Sequence, residues 1–354
     1  MSDNKNTAST IHVHSIDFLR AVGAISVCIF HYANGFLHAG NPVFDIFQHG
    51  HLGVEIFFVI TGFLIPYSLY RKGYTLQGFG KYMLDRLVRI HPAYLGTVLI
   101  GVLQTIIAAF LLEGSPLYKP FSVEWLDILG HFTYTQPLIG RYWLIMLFWT
   151  LSVQFQFYIA YGLLYQFFIH KNKIIRLAML AFCAALPFIV GKGNINYGLG
   201  NIDLINYLPH YMHIFLAGIL IFMRTQKLIN NWEYSLFLLV DCYLLFYWYG
   251  SMEGWNGGDY LRPLAVLFAS IFIQFVDIKH KIFEFLGKIS YSLYLIHLPV
   301  GWTFLQLMVM YLGVKNEFSL SICLLCSVLF SIGAAYLYWK YVEDYFTNKL
   351  KKML

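Results

Sequence analysis

Charge is what this sequence has least of. Only 12% of its 354 residues are Asp, Glu, Lys or Arg, about half of what a water-soluble domain carries, so a soluble enzyme or soluble binding module is excluded. Cysteine is scarce too. Cys28, Cys183, Cys242, Cys323 and Cys326 all fall in apolar stretches, which argues against a disulfide framework, and the CxxC at 323 and 326 reads as small packing residues within one helix. A cleavable signal peptide is missing from the reading: the first apolar stretch lacks a small-residue cleavage pattern and holds polar groups of its own. No internal or inverted repeat and no appended soluble domain is read in the sequence, so any chemistry is expected in the apolar part of the chain. The net charge of +6 calls for no nucleic acid, because the positions of the basic residues account for it.

What is abundant is apolar length. The chain is 59% hydrophobic and 19% aromatic, with a mean hydropathy of +0.62. Ten apolar stretches, at 16–38, 52–70, 90–112, 143–169, 175–191, 207–223, 233–250, 260–276, 289–312 and 319–341, are each suited to a membrane helix. The expectation is an all-α, polytopic transmembrane helix bundle of about ten spans. With the N-terminus in the cytoplasm, all but five of the 24 lysines and arginines fall on the inner side; the five are Lys119, Arg141, Lys192, Arg262 and Lys315. That asymmetry places both termini inside. Residues 1–15 are polar and read as a disordered cytoplasmic tail, 16–342 as the transmembrane domain and 343–354 as a C-terminal cytoplasmic tail. SVEWLDILGHF, in the long connection from Glu113 to Tyr142, predicts a short interfacial helix. Gly191–Asn206 and Gly250–Asp259 read as flexible outer loops.

Ionisable side chains within such stretches cost several kcal/mol unless they face protein, water or ligand, and are therefore functional candidates. The first stretch, IDFLRAVGAISVCIFHYANGFL, holds Asp17, Arg20 and His31. Arg20 and His31 are about 16 Å and three turns apart along one helix face. Glu55, near the outer start of the second stretch, is at a depth where it can neighbour His31 and raise its basicity. Arg86 and Arg89 lie three apart at the inner start of the third stretch. With Arg20 they form a set of guanidinium forks suited to the phosphates of a nucleotide-bearing donor. Arg71, Lys72 and Lys81 need no more than the ordinary inner excess of basic residues. Tyr158 lies one turn from Gln154, and Tyr294 one turn before His297, with Pro299 just after; such groupings can line a polar cavity. Asp241, in mid-stretch, requires a partner. His210 and His213 have a ligand-like spacing but no further ligands beside them, so no metal site is expected.

Several of these segments, in order, resemble a known family. Arg20 followed after ten residues by His31, then GVEIFFVITGFLI, RLVRIHPAY, WTLSVQFQFY and LGKISYSLYLIHLP, are similar to blocks of the acyltransferase-3 family of integral-membrane O-acyltransferases. The resemblance covers nearly the whole chain. It implies a catalytic histidine at His31, an acidic helper at Glu55, and an acyl-CoA-binding role for Arg20, Arg86 and Arg89. Gln154, Tyr158, Tyr294 and His297 are then cavity-lining. Where the family usually has Glu, this chain has Gln154, which keeps an amide but loses a charge and leaves open an altered acceptor or a silent relative. Acetyl-CoA is the expected co-substrate, and a hydroxyl of a cell-surface or lipid-linked carbohydrate the expected acceptor, in a bacterial cytoplasmic membrane. The competing expectation is a transporter or flippase of a polar lipid-linked glycan, in which the buried charges line a pathway and no bond is made. The absence of repeat halves lowers that alternative.

Overall fold

A computed structural model describes residues 13–112, 124–139, 143–190, 194–197, 200–203, 206–250 and 260–354. The described chain is helical apart from one short hairpin. The helices are α1 (Val13–Phe36), α2 (Pro42–Phe47), α3 (Gly53–Arg71), α4 (Phe79–Leu112), α5 (Trp125–Thr133), α6 (Phe148–Phe168) and α7 (Lys173–Val190). They continue with α8 (Leu208–Thr225), α9 (Asn231–Gly250), α10 (Leu261–Phe275), α11 (Lys281–Ile296), α12 (Thr303–Leu312), α13 (Glu317–Tyr338) and α14 (Tyr345–Met353).

Each of the ten apolar stretches contains a helix. By length and composition, six helical segments can cross a membrane: His14–Phe36, Pro42–Arg71, Leu76–Ala108, Lys173–Val190, Lys281–Leu312 and Glu317–Met353. The helices α6, α8 and α9 are diluted by Tyr, Gln and His, and α10 is a shorter apolar helix.

The centre is α8, in which every residue from His210 to Met223 is buried. A helix that is apolar all round must be enclosed by others. α3 lies directly against it: a Cβ on Gly62 would strike the Phe215 carbonyl, and one on Gly218 would strike the Val59 carbonyl. Two glycines facing opposite backbones are what let the helices approach this closely, as in other membrane bundles. α1 and α11 form a second close pair, with Gly287 against the backbone of Asp17. This pairing brings both ends of α1 alongside the LGKISYSLYLIHLP segment. Asp241 also has its partner, His213, whose Nδ1 is 2.7 Å from the carboxylate at a fully buried position.

The helix that carries His297 is interrupted. His297–Trp302 forms a π turn around Pro299, whose missing N–H cannot continue the α ladder. The Pro299 carbonyl accepts from Gln104 and Thr303, so the turn is held by α4 and α12. A second π turn, Trp339–Asp344, joins α13 to α14.

Several expected boundaries move. α4 begins eleven residues before the apolar stretch at 90–112, so Arg86 and Arg89 lie inside a helix rather than at its start. Residues 13–15, taken with the N-terminal tail, already belong to α1, and Ser15 donates to the Val276 carbonyl; residues 1–12 lie outside the described residues. Part of the expected loop at 191–206 is an antiparallel hairpin, β1 (Asn194–Tyr197) with β2 (Gly200–Asp203). The loop at 251–259 is outside the described residues. The segment 343–354, expected as a tail, is a π turn and a helix, with Thr347 donating to the Val88 carbonyl of α4. The short helix expected in SVEWLDILGHF is α5, closed by a capping box between Glu124 and Asp127.

Candidate active site

Among the expected residues, Arg20, Arg86, Arg89, Gln154, Tyr158 and Tyr294 line one cavity of about 550 Å³. Its walls come from α1, α3, α4, α6, α11 and the second π turn. The helices explain the convergence. Arg20 leaves α1 where α11 packs against it, and Arg86 and Arg89 share one side of α4, three residues apart. Arg86 also lies over the ring of Tyr82, 5.9 Å from its centroid.

Gln154 donates to Thr61 Oγ1 (2.9 Å), tying α6 to α3 across the cavity wall. The amide at the position where the sequence departs from the motif it resembles is thus held by a threonine of α3. Tyr158 is buried beside the arginines.

Tyr294 lines the cavity and also touches His297. Thr150 Oγ1 donates to the Leu147 carbonyl (2.8 Å), so it accepts the Tyr294 hydroxyl at 2.7 Å. The Tyr294 ring is 6.0 Å from Phe57 and 5.9 Å from His297, centroid to centroid. The Tyr294 backbone carbonyl receives His297 Nδ1 at 2.8 Å.

His297 and His31 are neighbours. His297 Nδ1 faces two carbonyls, of Tyr294 and of Leu293 (3.2 Å), so it carries the proton. In the neutral ring Nε2 is then an acceptor, and His31 Nδ1 lies 3.1 Å from it. His31 Nδ1 also faces the Val27 carbonyl at 2.9 Å, which fixes the proton there. The remaining lone pair of the couple is therefore on His31 Nε2. A histidine whose second nitrogen is held in this way presents a defined tautomer. His297 is itself anchored through its carbonyl, which accepts from Tyr32 (2.8 Å).

The expected neighbour of His31 was Glu55, and here the structure differs. Glu55 Oε1 pairs with the guanidinium of Arg262 on α10, whose Cζ lies 4.5 Å from the Tyr249 ring centroid. Rotation of α3 against α8 and α10 turns Glu55 towards a cation that the sequence placed only among the five on the outer side. Glu55 is 2% exposed, and a carboxylate this deep takes a guanidinium in preference to an imidazole, because a permanent charge offsets its desolvation better. It remains near enough to Tyr294 for an electrostatic interaction.

Sequence reasoning missed Glu343. This residue lines the cavity from the second π turn, accepts from Ser292 (2.6 Å) and interacts with Arg89 and Arg20. Its only signal was a carboxylate at the end of the last apolar stretch. Arg71, Lys72 and Lys288 were also passed over, and all three line the same cavity.

The arrangement offers a cavity lined by cations and an oriented imidazole couple packed against Tyr294; His31 and His297, like Glu55, are not among the residues that line the cavity, so the expected cavity-lining place of His297 is corrected to a fully buried one behind Tyr294. Comparison with known proteins agrees with that character. A family profile described as an acyltransferase domain matches residues 13–340. The O-acetyltransferase OatA of Staphylococcus aureus is 26% identical over 318 residues, covering 82% of this chain and 50% of that protein. The putative acetyltransferase ORF330 of Acidianus two-tailed virus is 24% identical over 271 residues, 72% of this chain and 74% of that protein. The chain thus spans about half the length of the staphylococcal relative. No solved structure matches. With a profile match running from the first turn of α1 into the second π turn, the chain belongs to the acyltransferase-3 family.

Proposed function

We propose that the protein is a membrane O-acetyltransferase that takes acetyl-CoA from the cytoplasm and acetylates a hydroxyl of a cell-surface or lipid-linked carbohydrate. The observation that carries this reading is that Arg20, Arg86 and Arg89 line one cavity together with Tyr294, whose backbone carbonyl holds His297 of the His31–His297 couple. Guanidinium forks match phosphate oxygens, and the roughly 16 Å from Arg20 to His31 is a span that a pantetheine arm can bridge. In this reading the arm passes Tyr294 to bring its thioester to the imidazoles.

His31 Nε2 takes the proton of the acceptor hydroxyl as that oxygen attacks the thioester carbonyl. The C–S bond breaks, and the CoA sulfur leaves with the proton returned by the imidazolium. His297 holds the His31 tautomer through its own Nδ1–H to Tyr294. Glu55 acts at one remove, neutralising Arg262 at the same end of the bundle. Gln154 and Tyr158 line the donor path. In this reading the ten apolar stretches span a bacterial cytoplasmic membrane with both termini inside.

The names of the two relatives support acetyl as the acyl group, and the resemblance of the motifs supports a sugar hydroxyl. The test is thioester cleavage by the purified protein with and without His31→Ala. Loss of cleavage is expected; unchanged turnover removes His31 from the mechanism. Mass spectrometry of surface glycans with and without the protein identifies the acceptor.

A further inference from the structure

The cationic end of the cavity is larger than a diphosphate needs. Besides Arg20, Arg86 and Arg89, its lining includes Arg71, Lys72 and Lys288, against the single carboxylate of Glu343. Glu343 divides these cations into two groups. Arg20 and Arg86 are half-buried and Arg89 is exposed, but Arg20 and Arg89 interact with Glu343. Arg71, Lys72 and Lys288 are exposed at the rim, on the last turn of α3, the residue after it and the middle of α11.

Within the rim, Lys72 is already committed to Asp85 at 2.8 Å. Arg71 and Lys288 have no carboxylate partner among the described residues. Their contacts are with rings instead: Arg71 lies 5.9 Å from the Tyr67 centroid and Lys288 4.1 Å from the Trp339 centroid. Such ring contacts position a cation without neutralising it. Two positioned, uncompensated cations therefore stand where a ligand entering the cavity would have its outermost group.

A donor that points its thioester inward has a fixed order of charges along it. The diphosphate lies nearer the arm, and the ribose phosphomonoester lies farthest out. A phosphomonoester carries close to two negative charges at neutral pH, with three acceptor oxygens. We propose that Arg71 and Lys288 form a second phosphate subsite that binds the ribose 3′-phosphate of coenzyme A, so that the site selects a 3′-phosphorylated nucleotide donor over the same thioester without that group. This rests on the donor reading above, and it excludes a thioester carried on phosphopantetheine alone as an efficient substrate.

Phosphates could also reach the rim as membrane headgroups, and a lipid-free binding measurement separates the two sources. Calorimetric titration of the full-length protein in zwitterionic detergent compares CoA with dephospho-CoA, which differ only in the 3′-phosphate. Wild type is expected to bind CoA about tenfold or more tightly, since two charge-assisted contacts are at stake. Arg71→Ala/Lys288→Ala should bring the two affinities together by weakening CoA alone, whereas Arg20→Ala should weaken both. The rim residues are exposed, and the wild-type comparison needs no variant. If wild type binds the two nucleotides equally, or the double variant keeps the preference, the subsite is refuted and the donor reading stands. If neither nucleotide binds wild type, the donor reading fails and this proposal with it.

Discussion

At the scale of residues, the account turns on which nitrogen of His31 is free. That question was partly legible: Arg20 and His31 share one helix, so their spacing followed from helical rise alone. The neighbour of His31 was not legible. Contact between two helices depends on how each is rotated, and neither the rotation of α3 nor the arrival of Arg262 from α10 is written in the Glu55 segment. Two expectations separate the roles. His297→Gln should lower kcat about 100-fold with donor KM unchanged, because a general base left without its orienting partner forfeits much of its contribution. A donor KM that rose with kcat intact would make His297 a binding residue instead. Glu55→Gln should act on stability, because it strips the counter-charge from a guanidinium that is largely buried. The melting temperature in detergent should fall, with the pH profile of turnover unchanged; a shifted profile at unchanged stability would return Glu55 to the chemistry.

At the scale of elements, apolar runs located the helices well and their ends poorly. Phe79–Ile90 carries Lys81, Asp85, Arg86 and Arg89 on an otherwise helical pattern, so hydropathy begins the helix a full three turns late. The π turn at Pro299 was signalled by proline, but the π turn holding Glu343 had no such marker, and its carboxylate therefore looked like part of a tail. α5, too short to cross a membrane, allows a prediction from pH. His131 is 1% exposed. Its Nε2 accepts from the Leu144 N–H (3.3 Å), leaving Nδ1–H for the Tyr94 hydroxyl (2.8 Å). Burial lowers its pKa from 6.5 to about 4, with Asp127 offsetting part of the shift. A neutral buried ring stabilises the fold fully above pH 6.5, and that contribution is lost progressively as pH falls from about 6.5 to about 4. Amide exchange of residues 125–133 should accelerate across that window, and His131→Gln should flatten the dependence. Exchange that is the same at pH 7.5 and pH 4.5 would contradict this.

At the scale of the whole molecule, the bundle places cations around one cavity and an imidazole couple elsewhere along the same helices, with Tyr294 lining the cavity and packed against His297. The polytopic class was legible because low charge and apolar length leave few alternatives. The cavity was not, since it is the space left where α1, α3, α4, α6 and α11 fail to fill one another. The central claim is that donor binding and proton transfer occupy different ends of one path. The measurement that tests it most directly follows both in the same preparation: CoA affinity and acetyl transfer from radiolabelled acetyl-CoA, for the wild type, His31→Ala and Arg20→Ala. His31→Ala is predicted to keep CoA affinity while transfer falls about 100-fold or more, as loss of a general base requires, and Arg20→Ala to lose affinity first. Transfer that survives in His31→Ala, or CoA affinity that survives in Arg20→Ala, would contradict the account.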